Sequence, residues 1–355
     1  MKKKKVLMVC EAFGGGVFTY VSQLCNDMIE TFDVYLAYSI RTQTPTNYKE
    51  FLDSRINLIE IKEFGSLRHI RKSIKKLRQI EKDIKPDIIH LHSSLAGGIG
   101  RIAFKGKNNK LIYTPHGYAH ILMGAGLKSK LFKFAEKRLG KKKCITLTCT
   151  QSEDEIAKKI CKETYYIETG VNLENLNSSL LKTEAKKFKN FSVFTLGRVC
   201  TQKQPELFNE IALLCPEVDF YWIGSGELQN KLTAPNITIT GWMPRLEALE
   251  MAKGADVFIL CSLGEAVAMS LIENMYLKKL CLVSNTMGNK SVIQHGINGY
   301  ICEKPEDYAN CIKEAMEFFP TDLTEKAYSD VLEVYNTETM KKKYINFYNS
   351  LLENN

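Results

Sequence analysis

The chain has 355 residues, 45% of them apolar and 25% charged, and a formal net charge of +9. This mix is typical of a soluble globular protein and excludes a disordered chain, a collagen-like repeat and a small disulfide-stabilised domain. At roughly 100–200 residues per domain, the length predicts two domains. No uncharged apolar run approaches the ~20 residues that span a bilayer, and no signal-peptide core follows the basic start, so we expect a cytoplasmic protein.

In chain order, the apolar strand Val6–Cys10 is followed by the glycines 14–16 and a helical pattern over Val17–Met28. Helical patterns separate most of the later apolar runs, and this alternation predicts a doubly wound parallel sheet. The further strands of this half are expected at Val34–Ala37, Leu58–Ile61, Ile88–Leu91, Leu111–Tyr113 and Ile145–Cys149.

A second α/β series begins near Phe191. Its strands are expected at Ser192–Leu196, Asp219–Ile223, Ile237–Thr240, Val257–Leu260 and Leu280–Val283, and its helices at Pro205–Cys215, Leu246–Lys253, Ala268–Leu277 and Pro305–Phe318. We therefore divide the chain into an N-terminal Rossmann-like domain (1–175), a linker (176–190), a C-terminal Rossmann-like domain (191–335) and a last helix (336–355) that packs back on the first domain. Ligands of such sheets bind at the carboxyl ends of the strands, so we expect both domains to face a central cleft.

The charge is concentrated in the first half. Residues 1–170 hold 31 Lys and Arg against 17 Asp and Glu, whereas residues 171–355 hold 18 against 23. Two basic segments stand out, Arg68–Lys85 and Lys128–Lys143. The apolar residues of Arg68–Lys85 recur at helical spacing, which is typical of a membrane-surface helix but equally of a surface helix that covers a sheet. We expect these segments to dock on an anionic membrane surface, and we expect no nucleic-acid binding because stacking aromatics are not interleaved with the cations.

Eleven cysteines are scattered along the chain without a C-x-x-C pair, and the six histidines form no H-E-x-x-H pattern. Neither a disulfide framework nor a metal site is therefore expected. In a reducing compartment, the cysteines are expected to act as small buried apolar side chains.

Two loops at predicted strand ends carry residues suited to a phosphate. Gly197-Arg198 and Lys203 follow the strand that ends at Leu196, and together they bring two fixed positive charges to one point, as a diphosphate requires. Gly224 begins a second glycine loop, which predicts a tight turn with close backbone approach. Solvated surface cations are the alternative for Arg198 and Lys203.

Two carboxylates, Glu265 and Glu273, flank a predicted helix start. Glu273 lies in an apolar segment, where a carboxylate needs hydroxyls or other donors, as ribose provides. The backbone N–H groups of Ala268, Met269 and Ser270 suit an anionic group. The alternative for Glu273 is a structural ion pair with Lys278 or Lys279.

His116 follows the predicted strand Leu111–Tyr113 and would lie at its carboxyl end, in the other domain. A structural histidine is the alternative there. We interpret His90 and His92, which also lie near a strand end, as structural.

In this order, these pieces resemble the family 4 (group 1) nucleotide-sugar glycosyltransferases of the GT-B fold. The resemblance covers nearly the whole chain, and the Glu265–Glu273 spacing is its most specific element. The segments that carry it are Gly15-Gly16-Val17, KPDIIHLHS, YTPHG, GRVCTQK, WIGSGE, ITGWM, SLGEAVAMSLIEN and HGINGY. The chain differs from the family pattern at Val267-Ala268 and Ser291, and this difference leaves the donor sugar open.

The resemblance implies a retaining, metal-independent glycosyltransferase without a cofactor, whose nucleotide-sugar donor is a substrate. It assigns the donor diphosphate to Arg198 and Lys203, and the ribose to Glu273. Glu265 and the backbone of Ala268–Ser270 would hold the sugar, with Gly224 nearby. His116 would contact the sugar or polarise the site, and Gly15 and Gly16 would let backbone approach donor and acceptor.

The expected acceptor is a lipid-linked oligosaccharide or polysaccharide at the inner face of a bacterial membrane, in capsule, cell-wall or O-antigen synthesis. One rival is a nucleotide-sugar epimerase on the same fold. The other is a non-catalytic glycan- or membrane-binding protein.

Overall fold

The computed structural model describes residues 2–62, 64, 69–106, 110–122, 126–264 and 267–353. By internal contacts the chain forms two compact units, Met1–Glu168 with Met340–Asn355, and Thr169–Thr339. No helix of the described ranges combines the length and the apolar composition needed to cross a bilayer.

The first unit is built on a seven-stranded, fully parallel sheet in the order β3-β2-β1-β4-β5-β6-β7. Its strands are β1 (Lys5–Phe13), β2 (Asp33–Ile40), β3 (Asn57–Glu60), β4 (Ile88–His92), β5 (Lys110–Thr114), β6 (Ile145–Thr148) and β7 (Thr164–Tyr166). Its helices are α1 (Gly15–Met28), α2 (Ile70–Ile84), α3 (Ser94–Ala103), α4 (Ala119–Leu122), α5 (Leu127–Leu139) and α6 (Gln151–Lys158).

The second unit has a six-stranded parallel sheet in the order β10-β9-β8-β11-β12-β13. Its strands are β8 (Ser192–Leu196), β9 (Asp219–Ile223), β10 (Ile237–Gly241), β11 (Val257–Leu260), β12 (Leu280–Ser284) and β13 (Tyr300–Cys302). Its helices are α7 (Leu173–Leu180), α8 (Pro205–Leu214), α9 (Arg245–Gly254), α10 (Met269–Tyr276), α11 (Met287–Lys290), α12 (Pro305–Glu317) and α13 (Thr321–Glu333). The last helix, α14 (Thr337–Glu353), begins in this unit and continues in the first.

Both sheets have the strand order of a doubly wound fold, which confirms the predicted α/β class. Each order reverses between a unit's first and fourth strands, β1 and β4 in the first unit, β8 and β11 in the second. Ligands of open parallel sheets bind at such switch points, beyond the carboxyl ends of the strands. We therefore expect a ligand-binding site at these switch points.

The strand ends are level because the pairing is in register. In the first unit Cys10 pairs with both Tyr38 and His92, and His92 pairs with Thr114. In the second, Leu196 pairs with Ile223. Residues that follow these positions consequently gather along one edge of each sheet.

Helix α14 contributes to the core of the first unit. Its residues Met340, Tyr344 and Tyr348 are buried with Val6 and Met8 of β1. The hydroxyl of Tyr348 also lies 2.6 Å from Nδ1 of His90. The end of the chain is thus part of the first unit's hydrophobic core.

The structure differs from the sequence prediction at several boundaries. Strand β1 runs on to Phe13 because that residue still pairs with Ile40 across a register shift. Helix α7 occupies the start of the segment expected as a linker, because the Asn172 side chain caps it by accepting from the N–H of Asn175. All eleven cysteines are free, and nine are buried, as expected of small apolar side chains.

Candidate functional site

In the second unit, the loops that follow β8 and β9 lie directly on each other. The N–H of Gly197 donates to the carbonyl of Ile223, and that of Val199 to the carbonyl of Ser225, both at 3.0 Å. A Cβ on Gly224 would lie 2.2 Å from the carbonyl oxygen of Gly197, and Gly224 has φ +140°. The contact between the loops therefore requires glycine at position 224.

The first of these loops carries Arg198 and Lys203. The Arg198 side chain is exposed, whereas Lys203 is half-buried at the end of a short 3₁₀ turn. Cε of Lys203 lies 3.6 Å from where a Cβ on Gly197 would stand. The Lys203 ammonium also partly offsets the burial that raises the pKa of the Cys261 thiol, just beyond β11. Lys203 thus places its charge at the switch point between β8 and β11.

Hydrogen bonds fix this cationic loop to the segment that follows β11. The side-chain amide of Gln204 donates to the carbonyl of Cys261 (2.8 Å), and that of Gln202 donates to the carbonyl of Gly264 (2.9 Å). The N–H of Leu263 donates to the carbonyl of Gln202 (2.8 Å). The segment that follows β11 precedes α10 in the chain. The hydrogen bonds therefore hold the loop that carries Arg198 and Lys203 close to the chain that leads into α10.

The start of α10 has backbone donors for which the described residues provide no side-chain acceptor. Ala268 precedes the helix in an extended conformation, and no side chain caps it. The N–H groups of Met269 and Ser270 belong to the first turn, which has no intrahelical acceptors for them, and the helix dipole there favours an anion. Glu265 lies outside the described residues, so its part in the site stays a prediction.

Glu273 makes an ion pair, as the structural alternative expected, but with a partner other than Lys278 or Lys279. Its Oε1 accepts from Nη2 of Arg245, the first residue of α9, at 2.7 Å. Lys278 instead pairs with Glu325. Lys279 donates to backbone carbonyls, and burial lowers its pKa to about 8. Among the described residues only one carboxylate oxygen of Glu273 is engaged, so the other is available to a hydroxyl donor.

Trp242 is a further candidate that sequence reasoning missed. It follows Gly241, the last residue of β10, and its side chain is 81% exposed. Gly241 forms a bridge with Gly224, which ties this strand end to the glycine loop after β9. An exposed indole beside a phosphate-suited edge is a platform for a flat ring. The rarity of tryptophan is the sequence feature that could have identified Trp242. The chain has two tryptophans, and the other, Trp222, is buried.

In the first unit, Gly15 and Gly16 open α1 at the carboxyl end of β1. Both are exposed, and a Cβ on either would meet no described atom within 4 Å. Gly15 has φ +54°, which favours glycine. Packing therefore does not explain why glycine occupies position 16. An open backbone at a strand end, in contrast, suits the binding of a ligand.

His116 lies at the same edge, in a group of aromatic and thiol side chains. Its Nε2 is 3.0 Å from Nδ1 of His92, and its Nδ1 is 3.6 Å from Sγ of Cys149. The Tyr20 ring packs edge-on at 4.6 Å between centroids. His116 has φ +55°, a strained backbone conformation for this residue type. Both ring nitrogens of His116 are thus engaged by the protein.

Burial keeps these imidazoles neutral. It lowers the pKa of His116 to about 3, and the pKa values of His90 and His92 fall well below the usual range for the same reason. His92, which we interpret as structural, contacts His116 and orients its ring. No described partner meets the buried Nε2 of His92.

Glu153 braces the loop that contains His116. Its two carboxylate oxygens accept from the N–H of Gly117 (2.8 Å) and the N–H of Cys149 (3.1 Å). Burial raises the pKa of this carboxyl, and the two backbone donors oppose the shift. No sequence pattern indicates this role of Glu153, because its two partners lie on separate loops.

Two family models match the chain. The model described as Glycosyltransferase Family 4 matches residues 14–175, and the model described as Glycosyl transferases group 1 matches residues 190–317. One match falls mainly in each unit, and together they include every candidate residue above.

Individual proteins match as well. The UDP-Gal:alpha-D-GlcNAc-diphosphoundecaprenol alpha-1,3-galactosyltransferase of Escherichia coli is 31% identical over 265 residues, which cover 65% of this chain and 66% of that protein. The putative teichuronic acid biosynthesis glycosyltransferase TuaC of Bacillus subtilis is 24% identical over 80% of this chain and 73% of that protein. The structure of Anabaena HepE in complex with UDP-glucose matches 98% of this chain and 99% of that chain with a TM-score of 0.77 and 16% identity, which shows a shared fold.

The neutral histidines predict a pH dependence of stability. A histidine whose pKa is lowered by folding takes up a proton on unfolding, so its contribution is complete above the unfolded pKa and is lost as the pH falls. For His92→Gln, the slope of the free energy of unfolding against pH should be smaller than in the wild type below the unfolded pKa of about 6.5, by at most about 1.4 kcal/mol per pH unit. Urea unfolding across that range measures it.

The exposed His69 supplies the control, and His69→Gln should keep the wild-type slope. An unchanged slope in His92→Gln would contradict the claim that His92 is held neutral by burial.

Proposed function

The chain belongs to the family 4, or group 1, glycosyltransferases, and we propose that it transfers a sugar, with retention of anomeric configuration, from a nucleotide sugar to a lipid-linked or polysaccharide acceptor of a bacterial surface glycan. Its two parallel Rossmann-like sheets form the GT-B fold. The names of the Escherichia coli and Bacillus subtilis relatives support the class of product. The former uses UDP-galactose by name, so UDP-hexoses are the first donors to test.

The observation that carries the proposal is the arrangement at the second unit's switch point. One loop brings Arg198 and Lys203, and hydrogen bonds fix that loop to the segment leading into α10. Two cations and the open N–H groups of a helix start are donors suited to a diphosphate. Glycine at position 224 keeps a side chain out of the sheet edge at which these cations and N–H groups lie.

The rest of the edge suits a nucleoside. Glu273 has a carboxylate oxygen for the ribose hydroxyls, while Arg245 donates to the other. Trp242 offers a stacking surface for the base. We therefore assign the diphosphate to Arg198 and Lys203, the ribose to Glu273 and the base to Trp242.

In the proposed reaction, the bond between the anomeric carbon and the β-phosphate oxygen breaks while the acceptor oxygen bonds to the same carbon. The acceptor proton passes to the leaving nucleoside diphosphate, so the products are a glycoside and that diphosphate. Negative charge grows on the phosphate as the bond breaks, and Arg198 and Lys203 stabilise that charge more than they stabilise the bound donor. No step of this scheme is assigned to a metal.

His116 serves in this scheme as a contact to the sugar and not as a proton carrier. Burial keeps its imidazole neutral, and His92 and Cys149 engage its nitrogens. The backbone of Gly15 and Gly16 is open. We assign these two glycines to the part of the first unit whose backbone approaches the donor and the acceptor.

A transfer assay tests the proposal against its two rivals. The chain is incubated with UDP-hexoses and a diphospholipid-linked GlcNAc, in the presence and in the absence of EDTA. The mass of the lipid product is then measured by mass spectrometry. We expect a mass gain of one hexose in both conditions. Interconversion of the free nucleotide sugar without acceptor would instead indicate an epimerase, and glycan binding without turnover would indicate a non-catalytic protein.

In the same assay, Arg198→Ala and Lys203→Ala should each lower kcat on the order of 10²-fold, because each removes a charge that stabilises the transition state. Lys313→Ala, on α12, is the matched control and should keep wild-type turnover. Wild-type kcat in both site variants would remove these residues from the reaction.

Glu273 should recognise the ribose hydroxyls. We compare the affinity of the chain for UDP with that for a UDP analogue lacking both hydroxyls, by calorimetry. The wild type should favour UDP by about tenfold or more, since hydrogen bonds to a charged group are worth about 1.5–3 kcal/mol. Glu273→Gln should lose most of that preference, whereas Glu325→Gln, another ion-paired carboxylate of this unit, should keep it. Equal preference in all three proteins would place the ribose elsewhere.

Trp242 should report on nucleotide binding directly. Of the two tryptophans, Trp242 alone is exposed, so stacking of a base should quench its fluorescence. Titration with UDP should give saturable quenching that Trp242→Phe abolishes, and Trp242→Ala should weaken binding about tenfold, in line with ~1–3 kcal/mol per stacked base. Because Trp222 donates to the carbonyl of Gly197 in the same region, only quenching of undiminished size in Trp242→Phe would show that the base does not reach Trp242.

A further inference from the structure

Helix α5 is attached to the first unit by a buried ion pair. Glu136 is its buried residue, and Oε2 of Glu136 accepts from Nη2 of Arg101 at 2.7 Å. The hydroxyl of Tyr113 donates to Oε1 at 3.0 Å, and the Arg101 guanidinium lies 4.1 Å from the centre of the Tyr113 ring. Because an unpaired buried charge is costly, this contact fixes which face of α5 turns inward.

The opposite face of α5 is apolar and open. Leu127, Leu131 and Phe134 are 85%, 66% and 61% exposed. At about 100° per residue, all three lie within about 40° of the direction opposite Glu136. Three large apolar side chains therefore form one stripe that the first unit does not cover.

Cations line this stripe, and in the described parts of the chain they have no ion-pair partners. Arg138 lies on the stripe itself, 5.5 Å from the centre of the Phe134 ring. The other cations of the helix are exposed, and they are Lys128, Lys130, Lys133 and Lys137. A helix with one apolar face bordered by Lys and Arg is suited to the interface of an anionic bilayer.

Helix α2, the other basic segment, has its apolar residues on the inside. Leu77, Ile80 and Ile84 are buried in a hydrophobic cluster of the first unit. Arg68, at the start of the predicted segment, lies outside the described residues. The described part of α2 thus offers surface charge without an apolar stripe, and the structure separates two segments that looked alike in sequence.

We propose that α5 is an interfacial helix that inserts Leu127, Leu131 and Phe134 into an anionic lipid surface. The five cations favour a lipid surface over a second copy of this chain, because two such faces would bring like charges together. The proposal goes beyond glycosyl transfer, and vesicle binding can be measured without donor or acceptor.

Co-sedimentation tests the stripe, using phosphatidylcholine vesicles with and without phosphatidylglycerol. The wild type should bind the anionic vesicles, and Leu131→Ser/Phe134→Ser should bind about tenfold more weakly or less, since each side chain gives up apolar burial. The matched control, Leu181→Ser/Phe318→Ser, removes a leucine and a phenylalanine that are 88% and 85% exposed in the second unit, and should bind as the wild type does.

A charge-reversal pair tests the location. Lys130→Glu/Lys133→Glu should abolish binding, whereas Lys75→Glu/Lys76→Glu on α2 should retain most of it. Equal loss in both would indicate diffuse attraction and overturn the proposal, as would wild-type binding by Leu131→Ser/Phe134→Ser. A wild-type dimer in size-exclusion light scattering that this variant abolishes would identify a second copy as the occupant instead. Unchanged UDP-induced thermal stabilisation of each variant confirms that it is folded.

Discussion

The candidate site depends on one constraint, which is that the parallel strands of each sheet end at the same edge. In-register pairing, such as Leu196 with Ile223, brings every strand of a sheet to an end along one edge. The chain must leave that edge in loops, and reversal of the strand order leaves room between two of them. Cations and glycines that are far apart in sequence, Lys203 and Gly224 among them, are collected there by topology.

The two units use this edge differently. In the second unit it carries exposed or half-exposed charge, with Arg198 and Lys203 on a loop fixed by Gln202 and Gln204. In the first unit it carries neutral groups, with the half-buried His116 held by the buried His92. A charged edge suits a diphosphate, whereas a neutral edge beside open glycine backbone suits hydroxyl groups. This division supports the proposed assignment of the donor to the second unit and of the acceptor to the first.

The fold was largely predictable from sequence because buried parallel strands are continuous apolar runs, as in Val6–Cys10. The missed strands β7 and β13 have three residues each, too few for a pattern. The partners of Glu273 and His92 were not predictable, since Arg245 and His116 come from separate elements. Glu136 was equally hidden within a basic segment, because its buried partners Arg101 and Tyr113 come from separate elements.

The central claim is that the carboxyl edge of the second sheet holds a nucleoside diphosphate. A crystal structure of the chain with UDP tests it most directly. We expect the diphosphate to contact Arg198, Lys203 and the first turn of α10, with the ribose on Glu273 and the base on Trp242. A nucleotide bound elsewhere, or with its diphosphate away from both cations, would contradict it.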